Sequence, residues 1–154
     1  MLEQKRNIPA LNLSSEWEAG AVGEKSREGG CLCGAVRFEI SGQMKQPVAC
    51  HCAMCRKQAS QAWVSSTLNK DDLRISEDRG LKWYRSSDKA RRGFCSECGS
   101  ALFFVDTDSP RISVSLGALD GPSNLSVRGH IYVADKGDYY GIEDDLPQFP
   151  ASDH

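Results

Sequence analysis

The stretch Gly29-Gly30-Cys31-Leu32-Cys33-Gly34-Ala35-Val36-Arg37-Phe38-Glu39-Ile40 joins a pair of cysteines to a strand signal. Val36, Phe38 and Ile40 alternate with Arg37 and Glu39, the pattern of an extended segment with one face buried and the other wet. Cys31 and Cys33 form a Cys-x-Cys pair directly before it. Residues i and i+2 of an extended chain project to the same side, so both thiolates can reach one metal. Outward from this point the texture stays β. Short apolar or alternating runs at residues 62–67, 73–76, 81–84, 101–105, 111–116 and 129–133 are divided by turn signals such as Ser41-Gly42, Glu77-Asp78-Arg79-Gly80 and Asp120-Gly121-Pro122. This spacing predicts a mostly β domain of coiled antiparallel sheets, with a helical turn only around residues 53–61.

The chain has 154 residues, enough for one domain with a core of its own, so metal would add to that core and not replace it. Residues 1–28 mix charged and small side chains without a sustained period and read as an arm, with a short helix near 15–21 as the alternative. The domain spans 29–150 and leaves 151–154 as a tail; from residue 141 onward, Pro147 and Pro150 predict an extended surface segment.

Seven cysteines are an odd number, tightly clustered, and read as metal ligands more readily than as a disulfide framework. Cys95 and Cys98 form a Cys-x-x-Cys knuckle followed by Gly99. Added to Cys31 and Cys33 they make a four-thiolate set that suits tetrahedral zinc and ties the first strand to a segment across most of the domain. Cys50, Cys52 and Cys55 are left as Cys-x-Cys-x-x-Cys, with no eighth cysteine to close a second tetrahedron. Three protein ligands and an open position mark a catalytic zinc. In an extended chain His51 would point away from its two cysteine neighbours. The spacing also accommodates His51 as a fourth ligand, or an exchange of the pairs between sites.

A formal net charge of -2 gives no basic field for nonspecific nucleic-acid binding. The longest apolar run, residues 101–105, is far short of the roughly 20 that a spanning helix needs, and the N-terminus has no apolar core of a signal peptide. The expectation is a cytoplasmic protein that binds neither membrane nor nucleic acid.

With these residues placed, the sequence resembles the glutathione-dependent formaldehyde-activating enzyme family, which also contains centromere protein V. The resemblance is carried by residues 29–38, by Cys50-His51-Cys52-Ala53-Met54-Cys55-Arg56-Lys57 and by Phe94-Cys95-Ser96-Glu97-Cys98-Gly99-Ser100. Weaker echoes at 115–120, 130–133 and 146–150 extend it over about 29–150. It implies a β-tent-like fold stapled by zinc and two ions, one structural at Cys31, Cys33, Cys95 and Cys98 and one catalytic at Cys50, Cys52 and Cys55. It also implies a carbon–sulfur lyase reaction in which glutathione captures formaldehyde as S-hydroxymethylglutathione. Two residues depart from the family pattern: Ser60 stands where many members carry Gly, and Tyr139 where a Trp is common.

Coordination to zinc holds sulfur as thiolate at neutral pH, where a free thiol is mostly protonated, and zinc can also polarise a carbonyl oxygen. His51 is the nearest candidate for proton transfer. Arg56, Lys57, Arg91 and Arg92 flank the metal motifs and suit the carboxylates of an anionic thiol such as glutathione. His130, in an apolar run, reads as a packed histidine, and Trp63, Trp83 and Tyr84 as sheet residues. The competing reading is a noncatalytic zinc module that engages a protein partner.

Overall fold

The computed structural model describes residues 26–153; the helix considered at 15–21 lies outside the described residues. The first sheet has three strands, β1 (Arg27–Gly30), β2 (Arg37–Ile40) and β5 (Leu73–Glu77), in the order β1-β2-β5. The second is built from β3 (Val48–Cys50), β4 (Trp63–Asn69), β6 (Leu81–Arg85), β7 (Ala90–Cys95), β8 (Ala101–Asp106), β9 (Arg111–Ser115) and β10 (His130–Ile131). Its order is β10-β3-β4-β9-β8-β7-β6. A single α-helix among the described residues, α1 (Ala53–Ala59), follows β3 directly. The fold is therefore mostly β.

The alternation in the opening stretch is realised as read: Phe38 and Ile40 are buried while Arg37 and Glu39 are half-buried. Phe38 meets Phe103 of β8 edge-on, with ring centroids 5.3 Å apart at 66°. Val36, Leu68, Leu102, Ile112 and Val114 complete the centre of this core, which lies between the two sheets. Burial of each such side chain contributes about 1.5–3 kcal/mol.

The sheets are antiparallel with one correction. β10 runs parallel to β3, with His130 opposite Ala49 and Ile131 opposite Cys50. The expectation of antiparallel sheets extends the logic of short hairpins to a strand that arrives over a long connection, and only a long connection can deliver a parallel neighbour. The C-terminal segment is irregular, with bends and one isolated bridge, and it is tied to this edge. His130 N–H donates to the Pro147 carbonyl and Phe149 N–H to the His130 carbonyl, both at 2.8 Å.

Three strands lie outside the sequence candidates. β1 begins at Arg27, two residues before the change of texture. β3 is three residues long, too short to show a period. β7 carries Arg91, Arg92 and Gly93 in its middle, and two charges and a glycine mask its apolar pattern.

Candidate functional site

All seven cysteines are free of disulfides. They gather into two groups, Cys31, Cys33, Cys95 and Cys98, and separately Cys50, Cys52 and Cys55, and within each group the sulfurs lie within 4.8 Å of one another. The division matches the one favoured by the spacing, and the exchanged pairing does not occur.

The four-cysteine group joins the loop between β1 and β2 to the end of β7 and the turn that follows. Cys31 Sγ is 3.6 Å from Cys33 Sγ, which is 3.7 Å from Cys95 Sγ. Tetrahedral zinc with sulfur at ~2.3 Å places its ligands about 3.8 Å apart, so the set fits that ion. The Val36 N–H donates to Cys31 Sγ at 3.2 Å. The turns that aim the sulfurs inward end on Gly34 and Gly99, at φ +84° and +81°, a left-handed conformation that glycine adopts at little cost.

The three-cysteine group is local. Cys50 ends β3 opposite Trp63, Cys52 is the N-cap of α1, and Cys55 lies in its first turn. Cys52 Sγ accepts the Cys55 N–H at 3.4 Å, so one sulfur both starts the helix and faces its two partners. The three protons are held unequally. Hydrogen bonds from Cys50 and then Cys55 pull Cys52 down to about 2, whereas its hydrogen bond to Cys52 is the largest of the effects that push Cys50 far up. Three such sulfurs ionise together only with a cation among them, which is what a divalent metal supplies.

His51 stands outside the three-sulfur group. It is 2% exposed, with Nδ1 2.6 Å from the Tyr140 hydroxyl and Nε2 2.8 Å from His130 Nδ1. His130 Nε2 in turn lies 3.1 and 3.0 Å from the two carboxylate oxygens of Asp144. Burial first, and then the neighbouring His130 and Lys136, push His51 below the ordinary imidazole value. Tyr140 and Asp144 escape sequence reasoning because they lie about 90 residues from His51 in irregular chain; the parallel pairing of β10 with β3 brings His130 to His51.

Arg92, Arg56 and Lys57 are placed differently from one another. Lys57 is exposed on α1 and Arg56 half-buried. Arg92 is 5% exposed; its Nη1 lies 3.5 Å from Cys55 Sγ and donates to Gln58 Oε1 at 3.0 Å, and the guanidinium sits 5.2 Å from the centroid of Phe104. Among the described residues, Arg56 Nε, Trp63 Nε1 and Arg92 Nε are the buried side-chain nitrogens or oxygens without a hydrogen-bond partner. All three belong to residues in or around the three-cysteine group: Trp63 packs on Cys50 and Cys55, and Arg56 follows Cys55 on the helix. Orphaned donors beside clustered thiols suit an anionic occupant.

The rim of this group holds both departures from the family pattern, and they touch. Tyr139 donates its hydroxyl to the Ser60 carbonyl. Ser60 closes α1 at φ +68°, where glycine is favoured, and its N–H bonds the Arg56 carbonyl at 2.7 Å. A separate cleft of about 410 Å³ borders the four-cysteine group, with Leu32, Ser100 and Asp120 in its wall. Ser100 Oγ there accepts the Leu32 N–H, and Asp120 pairs with Arg37.

Comparison with known proteins agrees with this geometry. Residues 26–135 match the family model described as glutathione-dependent formaldehyde-activating enzyme. A putative glutathione-dependent formaldehyde-activating enzyme of Halomonas elongata is 30% identical over 126 residues, covering 75% of this chain and 80% of that one. An uncharacterized lyase of Schizosaccharomyces pombe is 27% identical over 123 residues, 79% of this chain and 89% of the relative. A crystal structure of a Rhodobacter sphaeroides protein superposes with a TM-score of 0.54 at 25% identity, covering 63% of this chain and 91% of that one. A family match over most of the chain, together with a relative at 30% identity, identifies this protein as a member of the glutathione-dependent formaldehyde-activating enzyme family.

Proposed function

We propose that this protein is a zinc-dependent carbon–sulfur lyase acting on thiol adducts, with glutathione and formaldehyde as its reactants. The observation that carries the reading is the three-cysteine group, whose intervening histidine has both ring nitrogens engaged with Tyr140 and His130 and away from the sulfurs. Cys50, Cys52 and Cys55 would then hold zinc with a fourth position open to substrate, while Cys31, Cys33, Cys95 and Cys98 hold a closed structural zinc within a β-tent-like fold. When bound, the catalytic zinc keeps a substrate thiol as thiolate and close to the carbonyl carbon.

The chain's own residues supply the rest. In the forward direction the thiol S–H bond breaks, a sulfur electron pair forms the bond to the formaldehyde carbon, and the former carbonyl oxygen takes up a proton. The hydrogen-bonded series Tyr140, His51, His130 and Asp144 offers that proton a path between the site and an exposed carboxylate. Lys57, exposed on α1, and Arg56, half-buried beside Cys55, would supply positive charge for glutathione carboxylates.

Two measurements test the proposal. Zinc stoichiometry and release into a graded chelator should show one tight and one labile ion; two equally resistant ions would favour the noncatalytic module instead. NMR exchange between formaldehyde and glutathione should be accelerated by the wild type and return to the buffer rate in Cys52→Ser. Serine is itself a good N-cap, so this variant keeps the start of α1 while removing a ligand. A wild type no faster than buffer defeats the formaldehyde reading.

A further inference from the structure

Arg92 is buried in the middle of β7, opposite Phe104 of β8, and brings the positive charge of a guanidinium into the interior. Among the described residues no carboxylate forms an ion pair with it. Its hydrogen-bond partners are Gln58, which is neutral, and Cys55 Sγ at 3.5 Å, and its Nε has none. Phe104, beneath it at 5.2 Å, also packs against the cluster of Cys50, Cys55 and Trp63. A buried charge is tolerated only with a compensating partner, and among the described residues the negative charge within its hydrogen-bond reach is that of the cysteine sulfurs.

We infer that Arg92 is the fixed counter-charge of the three-cysteine centre and makes that centre receptive to an anionic fourth ligand, a thiolate. Three thiolates around a divalent cation carry one net negative charge, and the guanidinium cancels it. A thiolate arriving at the fourth position then brings the assembly to one negative charge, where without Arg92 it would reach two. Arg92 is thus a positioning residue that acts through Cys55, and it is set apart from the carboxylate-binding role of Arg56 and Lys57. The inference rests on the metal-holding part of the proposal above, and is independent of whether formaldehyde is the electrophile.

The test uses the full-length protein loaded with cobalt, whose sulfur-to-metal charge-transfer absorption reports thiolate ligation. Each protein is titrated with 2-mercaptoethanol, which has no carboxylate, and separately with glutathione. Arg92→Gln should weaken both thiols by about tenfold or more, the scale of one charge-assisted hydrogen bond, while Arg92→Lys, which keeps the charge but gives up the planar fork over Phe104, should lose less, about threefold. Lys82→Gln, which removes an exposed charge on the neighbouring strand β6, should bind as the parent does. Weakening of glutathione alone would make Arg92 a carboxylate binder and overturn the inference, as would equal losses in Arg92→Gln and Arg92→Lys. Retention of the four-cysteine metal checks that each variant is folded; should Arg92→Gln fail that check, Arg92→Lys decides, a loss of no more than about threefold supporting the inference and one of about tenfold overturning it. The readout is ligand binding, so an absent formaldehyde exchange would defeat the proposed reaction and leave this result standing.

Discussion

The two cysteine groups set one side chain in different surroundings. The four-cysteine group draws on segments more than 60 residues apart, joins two sheets and sits at the rim, where Cys33 is exposed and Leu32 beside it is 90% exposed. The three-cysteine group comes from a single strand–helix junction and is enclosed by His51, Trp63, Arg92 and Phe104, and all of the described orphaned donors belong to residues in or next to it. A site that ties distant chain needs little around it beyond its ligands. A site that takes a substrate needs charge balance, hydrogen-bonded neighbours and one unfilled direction. Under the proposed function, the burial and partners of the neighbours, more than the number of sulfurs, would separate a staple from a reactive centre.

The strongest way to break the comparison is to cut the staple. Cys95 is fully buried against the core, at the end of β7 and within 3.7 Å of Cys33 Sγ. Structural zinc contributes on the order of 10 kcal/mol of apparent binding free energy in small sites, comparable to the whole stability of a domain. Cys95→Ser should therefore lose one zinc and unfold cooperatively at a much lower urea concentration than the parent, read by far-UV circular dichroism. Cys52→Ser should leave the unfolding midpoint close to the parent's. Equal destabilisation by the two would mean that both centres are staples.

A smaller effect sharpens the second half of the comparison. Tyr140→Phe removes the hydroxyl 2.6 Å from His51 Nδ1 and leaves a buried ring nitrogen without its partner. An unsatisfied buried polar atom costs about 1–3 kcal/mol. The variant should lose that much stability in urea unfolding while keeping both zincs, and its formaldehyde exchange should slow. A rate equal to the parent's would reduce the series from Tyr140 to Asp144 to scaffolding.

Much of the candidate site was legible because cysteine spacing is a local signal. The three cysteine motifs at 31–33, 50–55 and 95–98, the helical turn beginning near Ala53 and the alternation in β2 were each readable from fewer than a dozen consecutive residues. What escaped was non-local or masked. Tyr140 and Asp144 reach His51 and His130 through irregular backbone that carries no period, and the parallel β10–β3 pair depends on a long connection. Arg92 was read as a flanking charge for substrate carboxylates, since a charged residue in an interrupted strand pattern looks solvated; it is buried against Cys55 of α1 and Phe104 of β8. The family resemblance supplied the reaction class, which no spacing contains.

The smallest expected effect probes the knuckle itself. At Gly99 an added Cβ would meet no atom within 4 Å among the described residues, so alanine there is resisted by the backbone alone, at φ +81°. That conformation costs an L-residue about 1 kcal/mol. Gly99→Ala should lower the thermal midpoint by about 2–4 °C for a domain of this size, and should speed zinc release from the four-cysteine group while the three-cysteine group keeps its parent rate. Faster release from both groups would show that the two centres are coupled through β7, whose residues Arg92 and Cys95 serve one centre each. Release confined to the first would make the staple and the reactive centre energetically separate, as their different surroundings imply.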